Sequence, residues 1–298
     1  MTETRRPLVA MLVAAVLLGA GCQATSSRPP ATTPATPAAG SRGAERHTHE
    51  NLNAVLWMQT SAEYRASTIQ AYRLARLQLD AALADPRWTA AIEQTGDAAA
   101  LPPAVVLDLD ETVLDNSAFQ AREVRDSAPY SDAAWARWVE ERKAGLIPGA
   151  LDFLEYARSR GVAPIYVTNR DHAGETATRD VLETLHVPIE TRHDGVLTRH
   201  ENGWDASDKS TRRQFVASSY RILLLVGDNF EDFVAGTRAS IAERAALMQK
   251  YGDYWGTKWI VLPNPTYGSW EQAITLGLAP TEDAAALARK YAALDTKR

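Results

Sequence analysis

The sequence predicts a three-layer α/β sandwich built on a parallel sheet, and three observations predict it. Short apolar runs at 104–107, 162–167, 222–226 and 259–262 are continuous rather than alternating, as in strands buried on both faces. Stretches of helical periodicity separate them. The first three runs each end on polar residues: Asp108 and Asp110, Thr168 and Asn169, and Asp228, Asn229 and Asp232. In open parallel sheets ligands bind beyond the carboxyl ends of the strands, so these three tips form the candidate site.

Composition agrees with a globular enzyme-sized chain. Of 298 residues, 45% are apolar and 23% charged, which excludes wholesale disorder and a collagen-like chain. Lys and Arg number 32 against 37 Asp and Glu, for a net charge of −5. That lacks the basic field of a non-specific nucleic-acid binder, so no nucleic-acid polymer is expected as a partner. A single cysteine excludes a disulfide framework and a cysteine-rich zinc site.

Taken in chain order, residues 1–21 read as a secretory signal. Arg5 and Arg6 precede an apolar run over 8–20, followed by Gly21 and Cys22. The run is shorter than the ~20 residues that span a bilayer. Residues 22–50 are rich in Ala, Thr, Pro and Ser without apolar period, and read as a tether reaching roughly 30 Å. His47 and His49 within it read as solvated. The folded domain is expected over 51–298. No Pro or Gly interrupts 52–83, where Ile69, Tyr72, Leu79 and Leu83 recur at helical spacings, so one long helix is expected, ended by Asp85-Pro86. Further helices are expected over 150–160, 175–185, 241–251 and 282–294. Pro164 fits only near the start of its strand or at a sheet edge. An insertion over about 117–148 separates the first two strands and carries Trp135 and Trp138 three apart on an amphipathic helix.

The polar tips suggest phosphorus chemistry. An Asp directly after an apolar strand, as at 108, can serve as a covalent nucleophile. A second carboxylate two residues on, Asp110, can protonate a leaving oxygen and then deprotonate water. The same Asp-x-Asp spacing also serves as a helix cap. The acidic run 227–232 offers the hard oxygen donors that Mg²⁺ prefers. Thr168 and Asn169 can hydrogen-bond phosphate oxygens, and Lys209 supplies a compact positive charge.

Taken together, Asp108-x-Asp110-x-Thr112, Thr168, Lys209 and Gly227-Asp228-x-x-x-Asp232 resemble the four motifs of the haloacid dehalogenase (HAD) superfamily. The segments 108–117, 167–170, 227–233 and 263–271, with the early helix 56–64, narrow the resemblance to bacterial class C acid phosphatases over about 51–275. The resemblance implies a HAD-like, Rossmann-like sheet with a helical N-terminal extension and 117–148 as a small cap. It implies hydrolysis of phosphomonoesters by an acid phosphatase, with 5′-nucleotides and nicotinamide mononucleotide as substrates. Asp108 would be the nucleophile and Asp110 the general acid/base. Asp108, the Asp110 backbone carbonyl and Asp228 would bind Mg²⁺. Asp232 would act from behind, through water or by orienting Lys209. Thr168, Asn169 and Lys209 would hold the phosphoryl oxygens, and Trp135 and Tyr267 would stack on the base. Asp115 and Asn116 are expected to be structural. Lys209 is expected to influence the charge state of Asp110.

The N-terminus resembles a lipoprotein signal in which Cys22 is lipidated, although Leu18 stands four rather than three places before it. Gln23 after the Cys favours an outer membrane by the same resemblance. The family includes dimers, and 52–83 is the candidate homodimer interface. The alternatives are a phosphotransferase of the same superfamily and a non-catalytic surface lipoprotein binding a nucleotide or haem. No motif carboxylate is lost, which favours the hydrolase.

Overall fold

The computed structural model describes residues 49–279 and 283–297; the signal, Cys22 and the tether up to residue 48 lie outside them. The helix expected over 52–83 is two helices, α1 (Leu52–Thr60) and α2 (Ala62–Ala84). Ser61 between them is extended, and its hydroxyl accepts the Tyr64 N–H at 3.0 Å. A serine oxygen at that place opens a new helix, a cap worth about 1 kcal/mol, where periodicity alone saw one continuous element. The buried stripe of α2 runs Tyr64, Thr68, Tyr72, Ala75, Leu79 and Ala82, at spacings of three and four that face one core.

The chain then forms β1 (Pro103–Leu107), β2 (Leu114–Asp115), α3 (Ser117–Asp126), α4 (Asp132–Glu141), β3 (Gly145–Leu146) and α5 (Ala150–Ser159). It continues through β4 (Ala163–Asp171), α6 (Glu175–Thr184), β5 (Val196–Arg199), α7 (Ser210–Ala217) and β6 (Arg221–Gly227). It closes with α8 (Ile241–Lys250), β7 (Trp259–Val261), α9 (Ser269–Ile274) and α10 (Asp283–Ala292). The five long strands form one parallel sheet in the order β5-β4-β1-β6-β7. Side chains alternate across each strand. On β1, Val105 and Leu107 enter the core shared with α2, α5 and α6, while Ala104 and Val106 enter the core shared with α7. Both faces are therefore buried, which is why the strands read as unbroken apolar runs.

Four strands lie where the apolar runs placed them, and Pro164 is the second residue of β4, where it is tolerated. The fifth, β5, went unread because Val196–Arg199 is short and half polar. β4 also runs further than expected, through Thr168, Asn169 and Arg170 to Asp171. The crossing of α5 over α2 depends on Gly149, whose φ is +93° and whose missing Cβ would lie 3.3 Å from the Ile69 Cα.

The insertion expected over 117–148 comprises α3 and α4, closed at its base by the antiparallel pair β2–β3, with Leu114 opposite Leu146. Its interior is aromatic: Phe119 meets Trp135 at 5.2 Å and Trp138 at 6.1 Å between ring centroids. Among the described residues no helix is long and apolar enough to cross a membrane.

Candidate active site

Sheet register decides which residues meet. Leu107 of β1 stands opposite Val226 of β6 on one side and Tyr166 of β4 on the other. The residues just past Leu107 therefore face the tips of both neighbours. Asp108 continues the ladder, its N–H donating to the Val226 carbonyl at 3.0 Å. Carboxylate oxygens of Asp108, Asp228 and Asp232 lie within 4.8 Å of one another. The Lys209 ammonium donates to Asp108 Oδ1 at 2.5 Å and to Asp232 Oδ1 at 2.6 Å. Lys209 and Asp232 keep only 4% and 5% of their side chains exposed, and Asp108 11%.

Each of these side chains is held from behind. Asp228 accepts from Thr112 Oγ1 at 3.1 Å and from Asn264 Nδ2 at 2.9 Å. The Thr112 carbonyl in turn accepts the buried Tyr72 hydroxyl at 2.6 Å, so α2 anchors the loop after β1. Asp232 Oδ2 accepts the Asn229 N–H at 2.9 Å. That carboxylate sits where a side chain on residue 227 would be: a Cβ on Gly227 would lie 2.2 Å from Asp232 Oδ2, so only glycine admits it. Both Asp232 oxygens are thus committed, to Lys209 and to the backbone.

Crowding buried carboxylates raises their pKa values. Burial pushes Asp108 up to about 7 against the pull of Lys209, with Asp232 and Asp110 adding to the rise. Burial, then Asp232 and Asp108, holds Asp228 well above the usual carboxylate range. Burial pulls Lys209 down, but Asp108 and Asp232 more than offset it and its pKa stands above the ordinary lysine value. The donor set is all oxygen, compact and over-negative, which suits a hard divalent cation.

Asp110, two residues beyond Asp108, has different company. Arg170 Nη2 donates to its Oδ1 at 2.7 Å, and Arg170 Nε reaches both oxygens at 3.1 Å. The Asn116 amide donates to Oδ1 at 2.9 Å. Lys209, expected to hold phosphoryl oxygens and to be one influence on Asp110, makes its ion pairs with Asp108 and Asp232. The reason is positional: Arg170 extends from β4, which flanks the β1 tip on the side away from β6. Asn116, expected to be structural, touches Asp110 directly, while Asp115 does act structurally by accepting the Ser117 N–H at the start of α3.

Thr168 and Asn169 are arranged as donors. The Thr168 hydroxyl accepts the Arg170 N–H at 3.1 Å, which leaves its proton free. The Asn169 carbonyl oxygen accepts from Arg212 at 2.6 Å, so its NH₂ is left to meet a ligand. Trp135 is half-buried against Phe119, with the Arg170 guanidinium 5.6 Å from its ring centre. Tyr267 donates its hydroxyl to Glu111 and leaves 37% of the residue exposed. Glu111 has a left-handed backbone (φ 57°), is fully buried, and is pushed by burial and then Asp110 up to about 8.

The family model of HAD superfamily, subfamily IIIB (Acid phosphatase), matches residues 34–270. The chain belongs to this acid phosphatase family. It is a phosphomonoester hydrolase with the HAD-like fold. The class C acid phosphatase from Bacillus anthracis is similar at 34% identity and a TM-score of 0.73, over 84% of this chain and 99% of that one. The same enzyme with tungstate bound is similar at 33% identity and a TM-score of 0.73, over 85% and 99%.

Several residues that the sequence reading passed over also stand at this site of the acid phosphatase. Arg212 and Arg213 follow Lys209 at three and four places, on one face of α7 and its approach; Arg212 reaches the Thr168 carbonyl and Asn169, while Arg213 pairs with Glu93 at 2.6 Å. Arg213 is fully buried and donates to the Glu231 and Asp232 carbonyls at 3.1 and 3.0 Å, which fixes the acidic loop. That spacing was visible in Lys-Ser-Thr-Arg-Arg. Asn264 and Arg170 stood inside the segments quoted for the resemblance but carried no local sign of their partners.

Proposed function

We propose that this acid phosphatase hydrolyses 5′-nucleotides, nicotinamide mononucleotide among them, with Mg²⁺ and through an aspartyl-phosphate on Asp108. One observation carries the reading: the Asp108, Asp228 and Asp232 carboxylates converge within 4.8 Å, and the buried Lys209 bridges Asp108 and Asp232. Asp108 and Asp228, with the Asp110 carbonyl, would hold Mg²⁺, which offsets the charge of a phosphate next to an anionic nucleophile.

Lys209, the Thr168 hydroxyl and the Asn169 amide hold the phosphoryl oxygens. An Asp108 oxygen attacks phosphorus, the P–O ester bond breaks, and Asp110 gives its proton to the leaving oxygen. Water then attacks the same phosphorus, Asp110 takes its proton, and phosphate leaves Asp108 free again. Asp232 keeps Lys209 on target. The exposed part of Tyr267, with Trp135, stacks on the base, an interaction worth ~1–3 kcal/mol that tolerates different bases. We further propose export and lipid anchoring through Cys22, in an outer membrane, and dimerisation through the helices of 52–83.

Initial rates on nucleotides, sugar phosphates and aryl phosphates test this, each with Mg²⁺ and with EDTA. Preference for nucleotides, loss in EDTA and recovery on Mg²⁺ addition are expected. Full turnover in EDTA would remove the metal from the reading, and a flat substrate profile would remove the nucleotides.

A further inference from the structure

We propose that Arg170 is the positioning residue of the general acid/base: its guanidinium pins Asp110 Oδ1 and leaves Oδ2 to exchange the proton with the leaving group. This rests on the reading of Asp110 as the acid/base.

The contacts of Asp110 are unequal. Oδ1 receives two donors of its own, Arg170 Nη2 at 2.7 Å and Asn116 Nδ2 at 2.9 Å, and shares the single Arg170 Nε–H, at 3.1 Å, with Oδ2. Oδ2 has only its share of that Nε–H. A carboxylate held by one oxygen in this way cannot rotate, so its second oxygen keeps one direction. Arg170 is itself fixed. Its side chain is 2% exposed, and its Nη1 donates to Thr178 Oγ1 at 3.2 Å. Thr178 in turn donates to the Gly174 carbonyl at 2.9 Å, and Trp135 covers the guanidinium. Asn116 is locked from its other end, where its Oδ1 accepts the Trp138 Nε1–H at 2.8 Å. β4, through Arg170, and the β2–α3 junction, through Asn116, therefore meet on one carboxylate oxygen, and α4 braces Asn116 from behind.

A buried ion pair alone is weak evidence for stability, since removing two charges from water costs about what their attraction returns. Orientation is the better account of an arginine here. Its planar fork fixes a direction, which the point charge of lysine does not.

The test is kcat/KM, with Mg²⁺, across aryl phosphates of rising leaving-group pKa and one alkyl phosphate. Wild type is compared with Arg170→Met, Arg170→Lys and Asp110→Asn. General acid catalysis is worth about 10²–10⁴-fold and matters least for leaving groups that depart unprotonated. Arg170→Met is expected to lose roughly 10²-fold on the alkyl phosphate and under roughly tenfold on the best aryl phosphate. Arg170→Lys is expected to recover part of the loss, and inhibition by inorganic phosphate is expected to stay unchanged. A loss by Arg170→Met that is uniform across the series, while Asp110→Asn still discriminates by leaving group, overturns the positioning role alone. A uniform loss by Asp110→Asn overturns the acid/base reading beneath it. If Arg170→Met does not fold, Thr178→Val removes the hydroxyl that fixes Arg170 Nη1. It should show the same dependence on leaving group at smaller amplitude, and its absence overturns the proposal.

Discussion

Asp108 and Asp110 stand two residues apart on one loop, yet they occupy opposite electrostatic settings. Asp108 faces β6, where Asp228, Asp232 and Lys209 surround it, and burial among carboxylates lifts its pKa to about 7. Asp110 faces β4, where Arg170 and Asn116 supply it with donors and no second carboxylate shares its contacts. Strand order makes the difference, because β1 lies between β6 and β4, and Asp108 and Asp110 pair with groups on opposite sides of it. One carboxylate is made costly to ionise without a cation, and the other is made hard to rotate. Two roles on one short motif follow from placement rather than from residue type.

The strongest way to break this comparison is to neutralise each side in turn. Asp108→Asn is expected to abolish turnover of a 5′-nucleotide, because no covalent intermediate can form. Asp110→Asn is expected to cost about 10²–10⁴-fold, with the least loss on an activated aryl phosphate. Equal residual rates for the two variants would erase the distinction. On the crowded side alone, Asp228→Asn is expected to raise the Mg²⁺ concentration for half-maximal activity by about tenfold or more, an energy change of about 1.4 kcal/mol. An unchanged Mg²⁺ titration would remove Asp228 from the metal.

A smaller effect sharpens the other side. Trp135→Ala is expected to raise KM for nucleotides by about tenfold, from a lost stacking contact of ~1–3 kcal/mol, and to change KM for a small aryl phosphate less. Equal changes would assign Trp135 to Arg170 and Phe119 only.

The smallest expected effect concerns Glu123 on α3, away from both carboxylates of the motif. Burial pushes it up to about 7 from an ordinary 4.5, and its buried Oε1 has no hydrogen-bond partner. The folded state then holds a proton that the unfolded state releases, so stability falls as pH rises from about 4.5 to about 7. Glu123→Gln has no proton to lose. Its Tm advantage over wild type is expected to grow between about pH 5 and about pH 7.5. A constant Tm difference across that range would contradict the shift.

Much of the site was legible before any coordinates, for a local reason. Strands buried on both faces announce themselves as apolar runs, and the chemistry of a parallel sheet sits where such runs stop. Asp108, Asp110, Thr168, Asp228 and Asp232 were therefore readable from position alone. Lys209 was readable only through its motif, as one of 32 Lys and Arg in the chain. Arg170 was quoted and left without a role, because its partner lies 60 residues away across a strand pair. The long helix over 52–83 was misread as unbroken because a capping serine does not disturb an apolar period.

The sequence by itself determined the layers, the strand ends and the residue types available at each, since these follow from burial and periodicity along the chain. Only the tertiary structure decided which cation serves which carboxylate. Lys209 went to Asp108 and Asp232, and Arg170 to Asp110, because strand order and register set the distances between groups that the sequence lists far apart.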